Sequence, residues 1–133
     1  MTVFIDSNIP MYVAGAEHPN RAAADRFLER VRSREVAACT STEVLQEILH
    51  RYSSVGKPTV AGRIYSLFVD ICPAVFSVTL ADTDRARDLL VTVPGIAARD
   101  AIHAAVMLNH NLEWIATFDA HFDRVPGISR LPL

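Results

Sequence analysis

The hydrophobic residues change their period several times along the chain. Val3, Phe4 and Ile5 form a short apolar run ending at Asp6, the pattern of a buried strand. Ser7 opens a helix through Ile9, Tyr12 and Val13, with Pro10 tolerated in its first turn, where the missing N–H is no loss. Beyond the turn at Glu17 to Asn20, Ala23, Phe27, Leu28 and Val31 recur at helical spacing, and Arg26, Glu29, Arg30 and Arg34 fall on the wet face. Val36 to Cys39 predicts a second strand, and Val44, Leu45, Ile48, Leu49 and Tyr52 stripe the helix after it. Gly56 and Pro58 punctuate the chain before a helix that Thr59 opens, carrying Val60, Ile64, Leu67 and Phe68 and ended by Pro73. Val75 to Val78 reads as a third strand, and Asp82 to Val91 as a helix capped by Thr79 or Asp82. Pro94 and Gly95 make a turn. Arg99 to Leu112 is helical, and so apolar from Ala101 to Leu108 that most of its sides must be buried. Trp114 to Phe118 predicts a strand ending at Asp119, and a last short strand lies near Ile128.

Strands alternating with helices predict an α/β fold, a central parallel sheet of four to five strands with helices on both faces. No repeat, linker or low-complexity tract interrupts it, so residues 1–133 read as a single domain. Half the residues are hydrophobic and 21% are charged, enough apolar material for one core. The opening residues lack the basic and apolar regions of a secretory leader. The uncharged stretch from Ile71 to Ala81 is broken by Pro73 and is too short for a membrane span. Cys39 and Cys72 sit in apolar surroundings without CxxC spacing, which predicts buried thiols in a reducing, cytoplasmic setting. A net charge of −2 weighs against a general basic nucleic-acid binder. Lys57 is the only lysine, so arginine supplies nearly all of the 13 basic side chains. Its planar fork suits phosphate, although exposed arginines often do no more than solvate a surface.

Candidate chemistry lies in four acids. Asp6 and Asp119 follow apolar strands, Glu43 falls in the first helical turn after the strand at Val36 to Cys39, and Asp100 heads the apolar helix. The carboxyl ends of strands in an open parallel sheet line its ligand crevice, so acids distant in sequence can meet there. Clustered carboxylates repel one another and stay ionised only beside a cation, or one of them keeps its proton. Hard oxygen donors without zinc-type histidine spacing favour Mg²⁺. Each acid also has a plainer reading. Asp6 fits a helix cap, Glu43 a capping box with Thr40, Asp100 a dipole-favoured first-turn position, and Asp119 a turn.

Four segments in order resemble one family. Phe4-Ile5-Asp6-Ser7-Asn8, Ser41-Thr42-Glu43-Val44-Leu45-Gln46-Glu47, Arg99-Asp100-Ala101-Ile102-His103 and Thr117-Phe118-Asp119-Ala120-His121-Phe122 are similar to the motifs of PIN-domain ribonucleases, and within them of VapC-type toxins of bacterial toxin–antitoxin pairs. The resemblance covers the whole chain. It implies a Mg²⁺-dependent endoribonuclease, with Mn²⁺ as a possible substitute, that hydrolyses RNA phosphodiester bonds. Asp6, Asp100 and Asp119 would carry most of the metal coordination, and Glu43 would bind a second ion or orient water. Asn8, Thr117 and Ser7 would hold those carboxylates or the substrate phosphate, and Arg99 would contact RNA phosphate or pair with a local acid. His103, one turn after Asp100, could reach the site, but a half-buried histidine bonded to backbone is the favoured reading. Asp123 is expected to face solvent.

The resemblance also implies a cognate VapB-type antitoxin and a homodimer. The stripes Val44 to Tyr52 and Ile64 to Phe68 are expected to serve the core first, with any surplus apolar surface accepting an amphipathic antitoxin segment. Two other readings compete. A receiver-like Mg²⁺ domain needs paired acids after its first strand and a lysine after its last, where this chain has Asp6-Ser7-Asn8 and only Lys57. A non-catalytic scaffold binding protein or RNA would have no need of all four acids.

Overall fold

A computed structural model describes residues 1–133. The elements run β1 (Thr2–Ile5), α1 (Asn8–Ala14), α2 (Pro19–Arg32), β2 (Ala37–Ser41), α3 (Thr42–Ser54), α4 (Pro58–Ile71), β3 (Ala74–Phe76), α5 (Leu80–Thr92), α6 (Ala98–Asn109), β4 (Trp114–Ala116) and β5 (Ser129–Arg130). The strands form one sheet in the order β3-β2-β1-β4-β5, and every pairing is parallel. Parallel strands need long crossovers, which the helices supply.

β1 lies at the centre, and Val3, Phe4 and Ile5 are all fully buried. Successive side chains of a strand point to opposite faces, so helices must cover both. From β1 the chain builds outward through β2 and β3, then returns to place β4 on the other flank of β1. That reversal opens a crevice beyond the carboxyl ends of β1 and β4. The Asp6 N–H extends the ladder by bonding Ala116 O at 3.1 Å, which sets Asp6 level with the residues leaving β4.

Local details depart from the sequence pattern at a few points. α2 stops at Arg32, and Arg34 adopts a left-handed φ of 63° beyond it, so Arg34 is not on that helix's wet face. β4 ends at Ala116, two residues earlier than the pattern predicts, because Thr117 turns toward Asp6. The Thr40–Glu43 capping box does not form. The Thr40 hydroxyl donates instead to Ile5 O at 3.1 Å, and α3 begins without a side-chain cap. At α5 a full capping box does form between Thr79 and Asp82. α6 is the apolar helix expected, with Ala101 and His103 to Met107 all buried. Cys39 and Cys72 are buried free thiols, which burial pushes up to about 11 and about 12. No helix is long and apolar enough to cross a membrane.

Candidate functional site

Asp6 leaves β1 into the crevice with only 4% of its surface exposed. A buried carboxylate needs donors, and it finds Ser7 N–H at 2.7 Å to Oδ1, Thr117 Oγ1 at 2.7 Å to Oδ2 and Asn8 Nδ2 at 3.4 Å to Oδ2, with Ser7 Oγ a longer 3.5 Å from Oδ1. Thr117 fixes the geometry. Its hydroxyl accepts from Asn8 Nδ2 at 3.1 Å and from Asp119 N–H at 3.0 Å. Both lone pairs are then used, so its single proton must go to Asp6. Even so, burial holds the Asp6 carboxyl above its ordinary value, against the lowering effects of His103 and Thr117.

Glu47, one turn after Glu43 on α3, takes the place expected of Glu43. Ser7 Oγ donates to Glu47 Oε2 at 3.0 Å, and His103 Nε2 bonds Glu47 Oε1. Glu43 makes no side-chain hydrogen bond. Burial raises its carboxyl, and it feels His103, Glu47 and Arg99 only through space. His103 is fully buried and bonded to a carboxylate, rather than half-buried and bonded to backbone. Its Nε2 also lies 3.8 Å from Asp6 Oδ1, while Nδ1 has no partner. Burial alone would lower the imidazole pKa. The bond to Glu47 and the charges of Asp6, Glu47 and Asp100 outweigh that and raise it. For Glu47, burial is outweighed by His103, Ser7 and Arg99, and its carboxyl lies below its ordinary value. A sequence signal for this pair existed: a lone histidine inside an apolar helix must be buried, and a buried imidazole needs a polar partner.

Asp100, in the first turn of α6, faces Asp6 and Asp119 from across the crevice. Burial pushes its carboxyl up to about 7, and the charges of Asp6 and Asp119 add to the rise. Asp119 accepts from His121 N–H at 2.8 Å and lies 2.8 Å from His121 Nδ1, so the turn role and the site role fall on one residue. Arg99 is exposed beside the site and enters no ion pair. Asp123 is exposed and forms a bidentate pair with Arg130 at 2.8 and 2.9 Å, outside the cluster.

Two sets of atoms could each enclose a cation, Asp6–Glu47–His103 and Asp100–Asp119–His121. The donor chemistry fits a hard divalent ion, since four carboxylates converge with few compensating charges. Asp100 carries the sharpest sign of this. Burial, and then the charges of Asp6 and Asp119, disfavour its ionised form, a penalty that a bound cation would relieve.

A family model described as PIN domain matches residues 3–128. The chain is 39% identical over 129 residues to the VapC ribonuclease Mb1869c of Mycobacterium bovis, covering 97% of this chain and 98% of that protein. It is 35% identical over 117 residues to ribonuclease VapC23 of Mycobacterium tuberculosis, covering 88% and 92%. Among solved structures, VapBC2 from Rickettsia felis bound to a promoter DNA fragment aligns with a TM-score of 0.77 at 18% identity, covering 98% of both chains. The Mycobacterium tuberculosis sarcin-ricin loop cleaving toxin VapC20 aligns with a TM-score of 0.74 at 21% identity, covering 89% and 90%. The α/β sheet gathers carboxylates at its switch point, and the chain belongs to the PIN-domain family, on its VapC ribonuclease branch.

Proposed function

We propose that this chain is a divalent-cation-dependent endoribonuclease, served by Mg²⁺ or Mn²⁺, and the toxin of a VapBC-type pair. The observation that carries this is the gathering of Asp6, Asp100 and Asp119, three acids from three parts of the chain, around one crevice, where the charges of Asp6 and Asp119 add to the rise that burial imposes on Asp100. Asp6, Asp100 and Asp119 would hold the ion, with Glu47 beside them. When bound, the ion offsets the negative charge of the phosphodiester and lowers the cost of deprotonating water.

The protein's own groups supply positioning. Thr117 and Asn8 fix the Asp6 carboxylate in one orientation, and Ser7 and His103 do the same for Glu47. Preoriented carboxylates need little rearrangement when substrate arrives. Water as the nucleophile gives products with 5′-phosphate and 3′-hydroxyl ends. Asp6→Asn should abolish Mg²⁺-dependent cleavage of cellular RNA with the circular dichroism spectrum unchanged. Cleavage that persists in that variant, or in excess EDTA, would defeat the mechanism.

The antitoxin belongs to the same proposal. Most of the α3 and α4 stripes are spent on the core, since Val44, Leu45, Ile48, Ile64 and Phe68 are buried. Leu67 remains 61% exposed, at a cavity of about 240 Å³ with Pro10, Val13, Leu28, Ile64 and Phe68. That surface suits the apolar face of an amphipathic helix. A Leu67→Lys variant that still co-purifies with the neighbouring gene product at full yield would count against it. A homodimer is the expected assembly, with exposed Leu80 and Val91 on one face of α5 as its apolar contacts; light scattering reads the mass directly.

A further inference from the structure

Beside the carboxylates, two adjacent chambers are lined mainly by residues of α1 and α3. The first, about 320 Å³, is lined by Ser7, Met11, Glu47, His50, Arg51 and Arg99. The second, about 530 Å³, is lined by Asn8, Met11, Tyr12, Arg51, Tyr52 and Lys57. They share Met11 and Arg51 and touch the site through Ser7, Asn8 and Glu47. The first chamber sets Arg99 and Arg51 beside the carboxylate Glu47, and the second carries Arg51 and Lys57, the only lysine in the chain.

None of these three cations enters an ion pair, in contrast to Arg30, Arg32, Arg87 and Arg130 and in common with the exposed Arg26 and Arg63. The aromatic lining differs in the same way. Tyr12 packs against His18 and Phe118 at 4.5 and 5.2 Å, but Tyr52 has no aromatic partner and is only half-buried. Free cations tracking a groove beside an unpartnered ring are the two features that hold a single strand of nucleic acid.

We propose that the α1–α3 groove is the subsite for the single-stranded RNA flanking the cleaved bond. The phosphates lie along Arg99, Arg51 and Lys57, and one base stacks on Tyr52. This rests on the ribonuclease reading above, and it assigns the path of the substrate rather than the chemistry.

The test uses the full-length Asp6→Asn protein without divalent cation, so that binding is read apart from cleavage. A fluorescent single-stranded oligoribonucleotide is titrated by anisotropy across a salt series. Arg51→Ala/Lys57→Ala should weaken binding about tenfold or more near physiological salt. It should also flatten the slope of log K against log salt by about 1.4, at roughly 0.7 per lost contact on a single strand. Tyr52→Leu should weaken binding roughly fivefold with the slope unchanged, because stacking releases no counterions. Arg51→Lys should keep most of the slope. Arg26→Ala and Arg63→Ala, exposed cations on α2 and α4, should match the parent.

Parent-like binding by the Arg51/Lys57 variant overturns the groove, as does an equal loss in the Arg26 and Arg63 controls. If those groove substitutions weaken binding of the antitoxin but not of RNA, the groove is a protein-docking surface and the proposal fails. An Asp6→Asn protein that binds no RNA at all brings down the ribonuclease reading itself, a separate result.

Discussion

At the scale of single residues, the site depends on Thr117 more than its modest size suggests. Its hydroxyl gives one proton to Asp6 and takes two, from Asn8 and from the Asp119 backbone. Thr117→Val keeps the shape and removes all three bonds. Loss of such an orienting partner typically costs 10–100-fold in metal affinity or activity, and activity of Thr117→Val should fall by about that factor. Thr117→Ser, which keeps the hydroxyl, should stay within a few-fold of the parent in the same cleavage assay. Glu47 and Glu43 allow a sharper comparison. Glu47→Gln removes a carboxylate bonded to both Ser7 and His103 and should lower the cleavage rate by about 100-fold. Glu43→Gln, with no side-chain bond to lose, should change it only a few-fold. The reverse ranking would return Glu43 to the site.

At the scale of elements, α5 and α6 pack against each other, and a polar clasp ties them. Asp82 at the start of α5 accepts from Asn109 Nδ2 at 2.7 Å, near the end of α6. Asn109 Oδ1 in turn accepts from Arg85 at 2.9 Å. Asp82 also accepts the Thr79 N–H at 2.9 Å. These bonds outweigh its burial and hold its carboxyl below the ordinary value. Asp82→Ala loses the capping box and the clasp together, and should cost about 1–2 kcal/mol in urea unfolding at pH 7. A carboxyl lowered in the folded state stabilises above its unfolded pKa, and the contribution disappears as pH falls through the folded pKa. The deficit of the variant should therefore shrink in acid. An unchanged deficit well below pH 4 would show that packing, not the carboxylate, is responsible.

For the whole molecule, ionising the carboxylate cluster opposes folding. Asp100 is raised to about 7 in the folded state. A raised acid destabilises once pH exceeds its unfolded value near 4, and the loss is complete above about 7. Metal-free protein should therefore lose stability across that window, and Asp100→Asn should remove much of the dependence while abolishing cleavage. Mg²⁺ should raise the Tm of the parent through binding to the folded state alone, and do so far less for Asp100→Asn. Equal Tm shifts in the two proteins would place the ion elsewhere.

Much of this architecture was legible in the chain itself. Short apolar runs alternating with amphipathic stripes sufficed for five strands, six helices and their order, because burial on one or both faces leaves a period in the sequence. Asp6 and Asp119 stand where apolar runs stop, at strand ends where a parallel sheet opens its crevice, and Asp100 heads the apolar helix. Spacing alone left each open to a cap or turn reading, and the family resemblance singled them out. The choice between Glu43 and Glu47 was not legible. Four residues apart on one helix face, the two acids are equivalent by periodicity. Only the packing of α6 against α3, which buries His103 beside Glu47, distinguishes them. The partners of Thr117 and the placing of Arg99 in one chamber with Arg51 likewise depend on crossings between distant segments. Sequence determined which residues could be buried or charged; the tertiary structure decided which of them meet, because contacts across a sheet carry no local period.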